Sequence, residues 1–165
     1  MGRFSKGRLK GKVTDQREAI AYHEAGHAVI SMKLGYKCLY VTTIPDADRL
    51  GHVCGEDPLG AGRGSRIEDA MKVLIAASLS EGLQLGHATW GDAEDRLMIG
   101  KLALLASDQD AKRAEVLINE IMGETRQLVE HHWSEIDALA QQLLLHGKVN
   151  FLGKKENVTS DPTTP

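Results

Sequence analysis

The sequence contains few aromatic residues and has neither a strong net charge nor a long apolar run. Phe, Trp and Tyr make up 4% of its 165 residues, so Leu, Ile, Val, Ala and Met must build the core, which favours packed helices over a large sheet. A net charge of −3 gives no reason to expect a nucleic-acid partner. Apolar runs such as 73–77 fall far short of the roughly 20 residues of a membrane span. Since the N-terminus also carries no apolar signal segment, we expect a cytoplasmic protein without a membrane span.

Cysteine is scarce as well. Cys38 and Cys54 are the only two, and they sit in short apolar stretches without CxxC spacing. This pattern argues against a redox motif and against a cysteine zinc site. We expect two buried, reduced thiols.

The length fits one domain with short terminal extensions. Residues 1–13 carry five basic and no acidic side chains, which predicts a flexible basic arm. Residues 154–165 are polar and end in SDPTTP, which predicts a disordered tail. The folded domain is therefore predicted to span 14–153.

Helical spacing of apolar residues, capping boxes and terminal glycines predict a mainly helical α+β domain. The stretch KCLYVTTI is rich in residues that favour strands, and the stretch GHVCG is short and bounded by glycine. Together they predict a small two- or three-stranded sheet. The predicted strands cover 37–44 and 51–55. The predicted helices cover 16–34, 66–85, 92–107 and 110–146, the last one broken near Trp133 and Ser134 and ending at Gly147.

The stretch AYHEAGHAVI, residues 21–30, carries the chemistry. His23 and His27 are four residues apart, so on a helix both imidazoles lie on one face and reach one metal ion. Glu24 follows His23 directly and stands beside such a metal without binding it. There it can act as the general base towards water activated by zinc. The motif therefore predicts zinc ligands at His23 and His27 and a catalytic Glu24.

The alternative is an ordinary amphipathic helix whose inward stripe happens to contain two histidines. Buried imidazoles each need a polar partner, and one metal ion satisfies both. Gly26 weakens a helix by about 0.8–1.0 kcal/mol relative to Ala. A glycine there is explained by the close approach of another backbone or of a substrate.

A catalytic zinc site uses three protein ligands and an open fourth position. The metzincin extension requires Gly at 30 and His at 33, where this chain has Ile30 and Lys33, so that class is excluded. Spacing alone leaves the third ligand open. The candidates are His52, Glu81, His87, Asp92, Glu94 and Asp95.

Four segments in order, AYHEAGHAVI, LIAASLSEGLQLG, TWGDAEDRLMIGKLAL and VEHHWSEIDALAQQLLLHGKV, resemble the peptidase domain of the FtsH family of ATP-dependent zinc metalloproteases over about residues 16–150. The resemblance implies a zinc-peptidase fold. It also implies that the third ligand is the final Asp of a Gly-x-x-Asn-Asp pattern, which is Asp95 here. Glu94 replaces the usual Asn and stays an alternative ligand. Glu81 is expected beside the site and is the fallback ligand.

The resemblance implies a zinc-dependent metalloendopeptidase. Because this chain carries no ATPase module, its expected substrates are peptides or unfolded proteins, cleaved without nucleotide or beside a separate ATPase. Family members form hexameric rings, so a homo-oligomer is expected, and the strand at 51–55 is expected to be an edge that pairs with substrate. The alternatives are a non-catalytic, zinc-stabilised binding module and an adaptor of an ATP-dependent protease.

Overall fold

The computed structural model of the chain describes residues 7–60, 66–87 and 93–151, with the backbone alone for 7–15. This part of the chain is mainly helical with one small sheet, as predicted. None of its helices is both long enough and apolar enough to cross a membrane. Its elements are α1 (Gly7–Lys33), β1 (Cys38–Thr42), β2 (His52–Gly55), α2 (Ile67–Leu85), α3 (Ala93–Ala106), α4 (Ala111–His131), α5 (Trp133–His146) and β3 (Lys148–Asn150).

The sheet is antiparallel, with β1 in the middle and β2 and β3 at its edges. Val41 of β1 pairs with Val53 on one side and with Val149 on the other. Val41 is fully buried, and the two partner valines pack against the same core. The third strand was not predicted individually, because three residues carry too little pattern and their pairing depends on a distant part of the chain.

The core has two parts, and α2 contributes to both. In the first part, fully buried alanines of α1 face α5 and the sheet. The second part lies between α2, α3 and α4 and contains the fully buried Met71. Leu79 of α2 packs against both. Helix α1 therefore packs against α5, the sheet and α2, and α3 packs against α2.

Helix α1 begins at Gly7, nine residues before the predicted start at 16. The predicted capping box therefore does not begin the helix. Residues 7–14 include Arg, Lys and Leu and lack proline, so the helix can continue through them although Gly11 is unfavourable in a helix. Of the predicted basic arm, 7–13 are helical, whereas 1–6 and the predicted tail at 154–165 lie outside the described residues.

Three helix ends were predicted correctly from glycine. Gly35, Gly86 and Gly147 adopt positive φ angles of 91°, 71° and 73°, which are favourable for glycine at a helix C-terminus. The break between α4 and α5 falls at His132, next to the predicted position. The start of α2 differs slightly, since its N-cap is Arg66, which makes no side-chain capping bond.

Both cysteines are free thiols, as predicted. Burial raises the pKa of the Cys38 thiol to about 11. Cys54 is only partly buried, which is less than predicted. Trp133 stacks on Tyr22 with 5.6 Å between ring centroids, and so anchors the start of α5 on the middle of α1.

Candidate metal centre

The two histidines of the motif face each other on α1. Their rings are edge to face, with centroids 4.8 Å apart. The two Nε2 atoms are 3.2 Å apart, and each side chain keeps 14% of its surface exposed. The helical spacing thus brings both nitrogens to one point at the wall of a cleft.

Asp95 completes the cluster from the first turn of α3. Its Oδ2 atom lies 3.2 Å from Nε2 of His23 and 3.2 Å from Nε2 of His27. This oxygen is buried, and it makes no regular hydrogen bond within the described part of the chain. Ligand atoms about 2.0–2.1 Å from a tetrahedral zinc ion are about 3.3 Å apart. The spacing and chemical types of the three atoms are compatible with a metal ion such as zinc.

The second nitrogen of each imidazole faces an acceptor on α2. His27 Nδ1 lies 3.0 Å from the carbonyl oxygen of Val73, and His23 Nδ1 lies 3.5 Å from Oε2 of Glu81. An imidazole that keeps its Nδ1–H on such an acceptor can exchange the proton on Nε2 for a metal ion. Both histidines are thus oriented to present Nε2 to a metal.

The charges around the cluster favour a cation. Burial by itself lowers the pKa of His23, but Asp95 and Glu81 outweigh it and raise this pKa to about 10. Burial by itself raises the pKa of Asp95, yet the two imidazoles beside it hold that pKa well below its usual range. The carboxylate is therefore ionised at neutral pH and available as a ligand.

Glu24 lies next to this cluster and does not contribute one of its three ligand atoms. Only 7% of its surface is exposed, and burial raises its pKa, although His27 and His23 partly oppose this rise. Glu24, the two histidines and Asp95 all line one cleft of about 640 Å³. Such a carboxyl group is suited to exchange protons with a substrate in that cleft.

The other described candidates for the third ligand do not contribute an atom to the cluster. Among the described residues, the ligand atoms that lie within 4.8 Å of one another belong to His23, His27 and Asp95. Glu81 contacts the outer nitrogen of His23, as expected for a supporting residue. The candidates that do not join the cluster are His52, His87 and Glu94, while Asp92 lies outside the described residues.

Gly26 has the close backbone neighbour that its position in the motif predicted. A Cβ atom at this position would lie 2.6 Å from Ser80 Oγ and 2.8 Å from the carbonyl oxygen of Ala76, both on α2. The glycine lets α1 and α2 approach closely. This approach brings Val73 and Glu81 to the histidines.

Sequence reasoning did not identify the carbonyl group of Val73. Every residue has a backbone carbonyl, so no side-chain pattern could have marked this one. Gly51 was also missed, although its backbone lies against Glu24. A glycine at the first position of the predicted strand 51–55 was the only available signal.

The contact of Glu81 with His23 predicts a supporting role in metal binding. Replacing Glu81 with Gln should lower zinc affinity about 10–100-fold, because the loss of such partners disturbs ligand orientation and basicity. Competition with a chromophoric chelator measures this. Glu115→Gln, at an exposed position of α4, is the matched control and should bind zinc like the unmodified chain. Equal affinity in both variants would contradict the assignment.

The chain was also compared with known proteins. No protein-family model matches it, and a search of curated proteins returns no match. The case for a metal centre therefore stands on the geometry of His23, His27 and Asp95 and on the carboxyl group of Glu24 beside them.

Proposed function

We propose that this chain is a zinc-dependent metalloendopeptidase, with His23, His27 and Asp95 as zinc ligands and Glu24 as the catalytic base. The observation that carries the proposal is the arrangement of three ligand atoms at mutual distances of 3.2 Å. A buried carboxyl group that is not a ligand adjoins them in the same cleft. A purely structural zinc site has four protein ligands and no need of such a base.

The proposed roles follow from where each group lies. Zinc, when bound, supplies the Lewis acidity that makes water a nucleophile near neutral pH. Glu24 takes the proton from the attacking water and later delivers it to the amine that leaves the cleaved peptide bond. Val73 and Glu81 keep the two imidazoles oriented during this cycle.

The sheet edge supports a peptide as the substrate. Strand β2 lies at an edge of the sheet, and its residues His52 and Val53 line the cleft that contains Glu24. An extended peptide can pair with the free backbone groups of such a strand. Folded proteins expose few extended segments of this kind, so peptides and unfolded proteins are the substrates we propose.

The remaining parts of the proposal rest on the resemblance to FtsH peptidase domains. The chain would act in the cytoplasm, either without nucleotide or beside a separate ATPase that unfolds its substrates. It would also assemble with copies of itself, as a hexamer if it follows that family.

Hydrolysis of fluorescein-labelled casein by the zinc-loaded chain, without nucleotide, tests the proposal. Glu24→Gln should lower turnover about 10²–10⁴-fold, the usual contribution of general acid–base catalysis, while one zinc per chain stays bound. Glu130→Gln, at an exposed position of α4, is the matched control and should retain full turnover.

Equal turnover in the Glu24 and Glu130 variants would contradict the role of Glu24. If zinc binds but no variant hydrolyses casein, a binding module or an adaptor becomes the better explanation. Casein cleavage by an added ATP-dependent protease that becomes faster when this chain is present would then identify the adaptor.

A further inference from the structure

Gly51 immediately precedes β2 and lies directly against Glu24. A Cβ atom on Gly51 would lie 2.9 Å from both Cγ and Oε1 of Glu24. It would also lie 2.9 Å from the carbonyl oxygen of Thr42. These distances are below normal van der Waals contact, so any side chain here forces a neighbour to move.

The backbone of Gly51 does not itself require glycine. Among the described residues, the glycines with positive φ are Gly35, Gly86 and Gly147, and Gly51 does not belong to this group. Gly35 and Gly86 have open space where a side chain would stand, so their conformation explains them. Gly51 differs from these two glycines. An alanine could adopt its backbone conformation, but there is no space for the methyl group.

Of the two neighbours, Thr42 is the one held in place. It belongs to the central strand and pairs with His52 on one side and Lys148 on the other. Its hydroxyl group also donates a hydrogen bond of 3.0 Å to the carbonyl oxygen of Gly147. Moving its carbonyl group would disturb both ladders of the sheet.

In Glu24, by contrast, the backbone is fixed and the side chain can move. Its backbone is fixed, because Ala21 and Ala25 on the same helix are fully buried. Its side chain, however, can rotate about three bonds, so its carboxyl group can move without unfolding anything. A methyl group at position 51 would therefore displace the Glu24 carboxyl group first.

We infer that Gly51 is a positioning residue, whose missing side chain leaves the space in which the Glu24 carboxyl group stands beside His23 and His27. This inference rests on the proposed catalytic role of Glu24. It concerns the loop before β2, which sequence reasoning did not connect with the motif on α1.

The first test compares kcat and KM of Gly51→Ala with those of Gly123→Ala on fluorescein-labelled casein. A methyl group on Gly123 would have no neighbouring atom within 4 Å, which makes this position a matched control. We expect Gly51→Ala to retain one zinc per chain and to lose about 100-fold in kcat, the usual effect of misplacing a reacting group by about 1 Å. KM should change much less, because the sheet edge is intact.

The second test needs neither zinc nor turnover. Urea midpoints of the unmodified chain, Gly51→Ala, Glu24→Ala and the double variant form a double-mutant cycle. Gly51→Ala should lower the midpoint in the unmodified background and lower it less in the Glu24→Ala background, where the crowded side chain is gone. If the unmodified chain hydrolyses no casein, the proposed function is overturned. The urea midpoints still test whether Gly51 leaves space for the Glu24 side chain.

Two results would overturn the inference. One, in a chain that cleaves casein, is a kcat for Gly51→Ala equal to that of Gly123→Ala. The other is the same midpoint loss in both backgrounds, which would assign the crowding to Thr42 and give the glycine a role in the sheet only.

Discussion

Replacing Asp95 with Asn should weaken zinc binding by more than about 100-fold, since loss of a mere supporting partner already costs about 10–100-fold. Asn has nearly the same shape, so the packing of α3 should survive. It lacks the negative charge that now faces the two imidazoles at 3.2 Å, however, and it is a poorer zinc ligand. Chelator competition and the zinc content after gel filtration measure this loss.

Glu94→Gln is the matched control, because Glu94 is the neighbouring acidic residue on the same turn and lines the same cleft. It should change zinc affinity by less than about threefold, in keeping with the small effects of most exposed substitutions. The opposite outcome, with zinc lost in Glu94→Gln and kept in Asp95→Asn, would make Glu94 the third ligand in place of Asp95.

Gly26→Ala should lower the free energy of unfolding by about 1–3 kcal/mol or more, as expected for an overpacked contact. The added methyl group would meet the carbonyl oxygen of Ala76 at 2.8 Å, and a backbone atom cannot rotate away. Ser80 Oγ, at 2.6 Å, donates a hydrogen bond to the same carbonyl and is fully buried. Urea denaturation of the metal-free chain measures the change.

The variant Gly123→Ala shows what the same substitution does without crowding. It lies inside α4 with open space around it, so it should stabilise the chain by about 0.8–1.0 kcal/mol through helix propensity. Gly26→Ala should also weaken zinc binding, because separating α1 from α2 removes Val73 and Glu81 from the imidazoles. Equal stability of the two variants would show that α1 and α2 tolerate a wider spacing.

Local pattern was enough for most of the helical framework. Apolar spacing predicted where α2, α3, α4 and α5 lie to within about one residue, and glycine predicted three of the helix ends. The start of α1 was wrong because a capping box only permits a start, whereas the residues before 16 continue the helix. Strand β3 depends on pairing with β1, a contact between distant parts of the chain.

The sequence by itself determined the histidine pair and the glutamate beside it, because helical periodicity alone places His23 and His27 on one face. It did not determine the third ligand, since spacing left six candidates and only the resemblance favoured Asp95. The tertiary structure brings Asp95, in the first turn of α3, to 3.2 Å from both histidines. It also decided which groups of α2 orient the imidazoles and that Gly51 lies on Glu24. The physical reason is that periodicity acts within one element, whereas these contacts depend on how separate elements pack.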